Sequence, residues 1–237
     1  YTLLENDIAG YSEGTWSCTG ATPSPTSISA GAVTVPAGVN VVCTITNDDI
    51  APTLKLVKVV TNNDGGTAVP NDWDLTATGS GGFTELTPDI ANATFHNVTA
   101  AVSYALSETS VTGYSSTGIW SCAGTGISAS DNTHVTVALG GIVTCTITNT
   151  DNTPTLKLVK VVTNDNGGTA VAGDYTLAAA AAGNPLTRNF SDNGDSSVGT
   201  FHNVAAGNSY ALSESPNPGA GYSSTGIWSC AGTGISA

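Results

Sequence analysis

Two sets of residues in this chain have types and spacings suited to covalent chemistry. The first is the cysteines. Cys18 with Cys43 and Cys122 with Cys145 hold equivalent positions in successive copies of an internal repeat, and Cys230 aligns with Cys122. Thiols repeated in this way point to one disulfide per copy, with the counterpart of Cys230 falling beyond Ala237. A zinc site would want closely spaced ligand pairs such as C-x-x-C, and the sequence has none. The second set is polar. The five basic side chains are Lys55, Lys58, Lys157, Lys160 and Arg188, so every lysine sits in one repeated segment, Pro52 to Asn62 and again Pro154 to Asn164. In extended backbone, Leu54, Leu56, Lys58 and Val60 share one face and Lys55, Val57 and Val59 the other. One lysine per copy therefore points toward a core, and alternation alone leaves both open. Glu108 follows Tyr104 and Leu106 in phase, and Asn149 follows Val143, Cys145 and Ile147 in phase. Lysine and glutamate are rarely buried unless paired, so a buried Lys, Glu and Asn from three strands require a joint explanation.

The elements that position these groups are read from the repeat itself. Phe95 to Val98 returns at Phe201 to Val204, Tyr104 to Glu108 at Tyr210 to Glu214, and Gly113 to Cys122 at Gly221 to Cys230. Small insertions separate the copies around Ala178 to Asp195 and Pro216 to Gly219, where loop-like composition absorbs length cheaply. A partial copy opens the chain, with Tyr1 to Glu5, Trp16 to Cys18 and Cys43 to Asn47 matching later segments. The expected domains are 1–49, the C-terminal part of one module; 50–151, a complete module; and 152–237, a module without its last strands. The chain thus reads as a window cut from a longer array of modules of about 100 residues each.

Composition narrows the class. Charged residues make up 10% of the 237, and the net charge of −13 leaves no basic patch for nucleic acid or an anionic membrane surface. No apolar run is long enough to span a bilayer. Short runs rich in Val, Thr, Leu and Ile recur between turn residues: Leu54 to Val60, Trp73 to Ala77, Ala93 to Val98, Ser103 to Ser107, His134 to Leu139 and Ile142 to Asn149. Such spacing predicts an all-β, antiparallel, Ig-like sandwich. The run Ala178 to Ala182 aligns with Thr76 to Ser80 and reads as strand end and loop rather than helix. Linkers from Asn47 to Pro52 and from Asn149 to Pro154 are short and proline-limited, which predicts a stiff rod.

Leu-Val-Lys58 near the module start, Tyr104-x-Leu-x-Glu108 followed by Gly113-Tyr114, and Thr-Ile-Thr-Asn149 at the module end resemble the collagen-adhesin B-type and SpaA-type, prealbumin-like modules of bacterial surface proteins and pilins. The resemblance implies tandem Greek-key sandwiches and an intramolecular isopeptide bond between Lys58 and Asn149, assisted by Glu108. Glu5 with Asn47, and Lys160 with Glu214, are by the same resemblance incomplete sets. The chemistry is physically reasonable. Burial favours the neutral amine and the protonated acid, so the acid polarises the carboxamide, the amine attacks its carbon and ammonia leaves. This is one self-modification without turnover, hence no enzyme and no cofactor. The cysteine pair is an addition to the minimal pattern.

Two functions follow as expectations: a structural repeat of an extracellular bacterial stalk, pilus-like fibre or filament that self-associates, or a ligand-binding adhesin array for glycan or host protein. Disulfides imply an oxidising, extracytoplasmic setting. No aromatic cluster marks a binding face, because Trp16, Trp120 and Trp228 each precede a cysteine by two residues, and a structural role is preferred. His96 and His202 lie in Phe-His-Asn-Val segments in which alternation from Phe turns them outward. His134 stands alone, and no Ser/His/Asp arrangement recurs. Asn63 to Gly66 and Asn164 to Gly168 lack the remaining ligands of a calcium loop and read as turns. Asn92, Asn97 and Asn189 stand in N-x-S/T sequons.

Overall fold

Alternation in the first complete strand sets the framework. Leu54, Leu56 and Lys58 turn one way and are fully buried, whereas Lys55 is half-buried and lies over the ring of Phe95, 5.2 Å from its centroid. The computed structural model describes residues 1–20, 26–28, 32–182, 186–217 and 219–235, so parts of the insertions at Ala178 to Asp195 and Pro216 to Gly219 lie outside the described residues. The chain forms two units, one of Tyr1–Val60 with Val69–Asn149 and one of Thr61–Ala68 with Thr150–Ala237.

The first unit opens with β1 (Tyr11–Ser12), β2 (Trp16–Thr19), β3 (Thr26–Ile28), β4 (Val42–Thr44) and β5 (Asp48–Asp49). β1 pairs with β5, and β2 lies between β3 and β4, all antiparallel. The strands that follow are β6 (Thr53–Thr61), β7 (Leu75–Thr78), β8 (Phe83–Glu85), β9 (His96–Asn97), β10 (Ser103–Glu108), β11 (Tyr114–Ser116), β12 (Ser121–Ser130) and β13 (His134–Asp151). Their order is β8-β7-β10-β13-β6-β9, with β11 and β12 also pairing β13.

β13 joins the layers. Its first residues pair with β10, with Tyr104 opposite Val135, and its later ones pair with β12, with Cys122 opposite Cys145. Between them Gly140 adopts φ +66°, and a Cβ on Gly126 would stand 2.7 Å from the Cα of Gly141. Register shifts on either side of Ile127 mark the same place as a bulge, where glycines facing glycines let the ladder bend. The segments His134 to Leu139 and Ile142 to Asn149, read as two strands in the sequence, are thus two halves of one. Val135, Val137, Val143, Cys145 and Ile147 point from it into a core with Trp73, Leu75 and Tyr104. The buried Tyr104 hydroxyl is satisfied, accepting from the Thr99 N–H at 2.7 Å and donating to the Ser80 carbonyl.

The second unit contains β14 (Thr155–Leu156), β15 (Thr176–Ala181), β16 (Phe190–Asn193), β17 (His202–Asn203) and β18 (Tyr210–Ser215). β15 lies between β16 and β18, and β14 pairs with β17. Leu158, Leu177 and Ala179 form its core, with Leu156, Phe190, Tyr210, Leu212 and Trp228 packed around them. The alanine run carries more strand than its composition suggested: β15 continues to Ala181 because Ala180 and Ala181 pair with Ala211 and Tyr210 of β18.

The short His strands reverse the expected orientation. Phe95 and Phe201 are exposed, and His96 and His202 lean inward. The residues that fix the phase are Val98 and Val204, which are buried and stand two positions after each histidine.

Candidate functional site

β6 carries Lys58 into the core and β13, beside it in the sheet, carries Asn149, each exposed by only a few percent. β10 ends on Glu108. The Lys58 ammonium donates to Oε2 of Glu108 and lies 4.7 Å from the centre of the Trp73 ring. Ser116 on β11 donates to the other carboxylate oxygen, Oε1, at 3.1 Å, and in turn accepts from the Gly118 N–H. Oδ1 of Asn149 is buried with no hydrogen-bond partner among the described residues. Burial drives Lys58 below the ordinary lysine range, with the hydrogen bond and charge of Glu108 acting against it. The arrangement therefore offers an amine biased toward its neutral form, a carboxyl group able to exchange a proton with it, and a carboxamide oxygen free to accept a donor.

The other copies repeat parts of this contact set. Lys160 donates to Oε2 of Glu214 and lies 4.5 Å from the centre of the Tyr175 ring. Asn47 donates from Nδ2 to Oε1 of Glu5. Oε2 of Glu5 and Oε1 of Glu214 are buried without partners among the described residues. Glutamate thus meets lysine in two copies and asparagine in a third.

Sequence reading missed the neighbours of this set. Ser116 had a signal, since it lies in the repeated Gly-Tyr-Ser-Ser-Thr-Gly stretch, but its bond to Glu108 depends on how β11 returns toward the end of β10. Trp73 and Tyr175 occupy equivalent positions before β7 and β15, and each places an aromatic face against its lysine. The change from Trp to Tyr hid that shared role.

Cys18 is bonded to Cys43 and Cys122 to Cys145, closing 25 and 23 residues, each pair directly opposite in its ladder. Cys230 is a free, exposed thiol.

Each inward histidine stacks on a phenylalanine and reaches a carboxylate. His96 lies 4.0 Å from Phe83 and 3.1 Å from Glu85, and His202 lies 4.1 Å from Phe190 and 2.8 Å from Asp192. Glu85 also takes the Thr87 and Thr94 N–H groups, and Asp192 the Thr200 N–H, which makes these carboxylates loop organisers. The Asn63 to Gly66 loop is organised by an anion as well. The Asp151 carboxylate accepts the N–H groups of Asn63, Asp64 and Gly66 at 2.8–2.9 Å, while Asp64 pairs with Arg188 and takes the Thr153 hydroxyl. Burial pushes the Asp151 carboxyl up, but these amides outweigh it and hold it below the usual carboxylate range. Among the described residues, no group of three or more His, Cys, Asp or Glu side chains is arranged to hold a metal ion, and no helix is long and apolar enough to cross a membrane.

Fold and site together define a β-sandwich protein of prealbumin-like architecture. The chain belongs to the prealbumin-like fold domain family, whose sequence model matches residues 1–45, 49–147 and 151–237. Among solved structures, the major pilin protein (T3.2) from Streptococcus pyogenes serotype GAS13637 is similar at 14% identity with a TM-score of 0.34, over 63% of this chain and 65% of that one. No curated protein matches the chain.

Proposed function

We propose that the chain is a stretch of an extracellular structural stalk or pilus-like filament on a bacterial surface, built from modules at 1–49, 50–151 and 152–237 and stapled covalently in two ways. One staple is the disulfide found in the modules at 1–49 and 50–151, which also supports an oxidising, extracytoplasmic setting. The other is an amide between Lys58 and Asn149. The observation that carries it is the recurrence of Lys–Glu and Asn–Glu contacts at equivalent, partly buried positions of three copies.

The step balances within the module. Lys58 passes a proton to Glu108 along their hydrogen bond, and the neutral Nζ attacks Cγ of Asn149. The Glu108 acid donates to the unpartnered Oδ1 as the carbonyl becomes tetrahedral. Glu108 then carries the second Nζ proton to the amide nitrogen, the C–N bond breaks and ammonia leaves, and Oδ1 returns its proton to Glu108, which ends protonated as the carbonyl re-forms. Ser116 holds the second oxygen of Glu108 during this exchange. Each site reacts once, so the module is a substrate of its own chemistry and turns over nothing.

Intact mass of the reduced, denatured chain tests the reading, with peptide mapping around Lys55, Lys58 and Asn149. The expected result is a chain lighter by one ammonia with a Lys58–Asn149 linked peptide. An unmodified mass leaves the disulfides as the covalent staples and rejects the amide.

A further inference from the structure

We infer that copies of this chain bind one another through two small surface patches repeated in its modules: a lysine over an exposed phenylalanine on one copy meets an aspartate beside an exposed valine on the next. The contact adds to the filament reading and rests on it. The repeat sorts the charges of an acidic chain. At positions shared by the complete module and the one that follows, two acidic pairs are consumed internally, since Glu85 and Asp192 hold histidines and Glu108 and Glu214 hold lysines. The shared acid left on the surface is Asp72, repeated as Asp174, and both are exposed. The basic residues divide in the same way. Lys58 and Lys160 are paired with glutamates and Arg188 with Asp64, which leaves Lys55 and Lys157 in no ion pair among the described residues.

Each of these remaining charges sits on exposed apolar surface. Lys55 and Phe95 flank the Leu54–His96 pair of β6 and β9, and the ammonium lies 5.2 Å from the ring centre. Lys157 and Phe201 repeat this beside the Leu156–His202 pair, at 5.9 Å. Both rings are exposed. A cation over an aromatic face is held in place yet keeps its charge. On the other patch, Asp72 accepts the Val69 N–H at 2.8 Å and Asp174 the Val171 N–H at 2.9 Å, so each carboxylate is fixed on a tight turn beside a valine that is itself exposed. One patch is apolar and cationic, the other apolar and anionic, and the two lysines and the two aspartates recur at the same interval of 102 positions. A net charge of −13 makes copies of the chain repel one another broadly, so a face that docks on a second copy needs a cation not already neutralised. A lone surface ion pair contributes little, but Phe and Val closing over the pair exclude water from it. Because the two patches differ, a copy that uses one still offers the other, and the contact can propagate.

Sedimentation velocity of the full 237-residue chain, with the Cys230 thiol alkylated to prevent oxidative dimers, tests the contact. Association is expected below about 1 mM at low salt and is expected to weaken as salt screens the pairs. Lys55→Glu with Lys157→Glu, and separately Asp72→Lys with Asp174→Lys, are each expected to weaken it by on the order of tenfold or more. An equimolar mixture of these two variants is expected to associate again, because the reversed charges match. Asp72→Asn with Asp174→Asn keeps an acceptor for the turn and is expected to lose association too, which separates loss of charge from loss of the fold. A wild-type chain that stays monomeric across that range, Asn or Glu variants that associate like wild type, or a mixture of folded reversed variants that stays monomeric overturns the proposal. Intact mass reads the amide separately: a chain lighter by one ammonia that stays monomeric rejects the contact between copies and leaves the stapled stalk standing.

Discussion

Replacing Glu108 with Gln removes the proton exchange while keeping the shape of the side chain, and the consequence for stability can be worked out from the fold. A Lys58–Asn149 bond closes a loop of about 90 residues, worth about 4.6 kcal/mol in the chain-entropy account. The Cys122–Cys145 bridge lies inside that loop and shortens its free path to about 70 residues, which lowers the figure by only about 0.2 kcal/mol because the dependence is logarithmic. With an unfolding entropy of about 2.1 cal/mol/K per residue, a loss of this size lowers the melting temperature of the first unit by about 15 °C. Glu108→Gln is therefore expected to have the full unmodified mass and to melt about 15 °C lower, with both disulfides intact. Lys58 left without its ionic partner adds to that loss, so Asn149→Ala, which keeps the Lys58–Glu108 pair, is the cleaner thermal comparison. Calorimetry on wild type and both variants, with mass spectrometry on the same samples, gives the answer. Wild type and Asn149→Ala of equal melting temperature, or Glu108→Gln still lighter by one ammonia, would refute the reasoning.

Ser116→Ala is expected to slow cross-linking several-fold in refolding time courses followed by mass, without abolishing it, because Lys58 still reaches Glu108. Cys122→Ser with Cys145→Ser is expected to cost about 3 kcal/mol in denaturant titrations, while the amide still forms. In the uncross-linked Asn149→Ala chain, the lowered pKa of Lys58 means that the unfolded state holds more protons between the folded and unfolded lysine values. Stability is therefore expected to rise with pH across that window, an increase that Lys58→Met removes. Asp151 has the opposite sense: its depressed carboxyl contributes stability above the unfolded aspartate value that is lost as pH falls through the folded one. Asp151→Asn is expected to cost about 1–2 kcal/mol near neutral pH and to flatten the acid limb of a pH–stability curve.

How much of this was legible in the sequence depended on whether a signal was local and repeated. The strand at Leu54 to Val60, the cysteine pairs and the polar trio all stood at equivalent positions of the copies, and the repeat itself served as an internal alignment. Alternation left Lys55 and Lys58 undecided because Val57 and Val59 made either face plausible, and only packing beneath Trp73 turned Lys58 inward. The histidines were placed on the wrong face because Phe was taken as the anchor of a segment only two strand residues long, where Val98 and Val204 hold the phase. The Asp151 anchor of the Asn63 to Gly66 loop joins residues more than 80 positions apart, and no local pattern announces such a bond.

The disulfide and the proposed amide would not be redundant, because they interrupt different paths through the module. Cys122 and Cys145 lie on the antiparallel pair β12 and β13, so their bond shields only the 23-residue separation between them when the module is drawn out from its ends. Tension entering at Pro52 and leaving at Asp151 would still peel β6 from β13 and release the chain between Lys58 and Cys122. The proposed amide would join β6 to β13 near the points where such a load enters and leaves, so that the force would run from strand to strand through one covalent bond and bypass the hydrogen-bonded ladder. A disulfide alone therefore protects the hairpin against heat and denaturant, whereas resistance to pulling needs the Lys58–Asn149 link. Single-molecule extension separates the two roles. Wild type is expected to show almost no unfolding length from the module between residues 52 and 151, and Glu108→Gln to release about 70 residues of contour, at about 3.5 Å each, before the disulfide stops it.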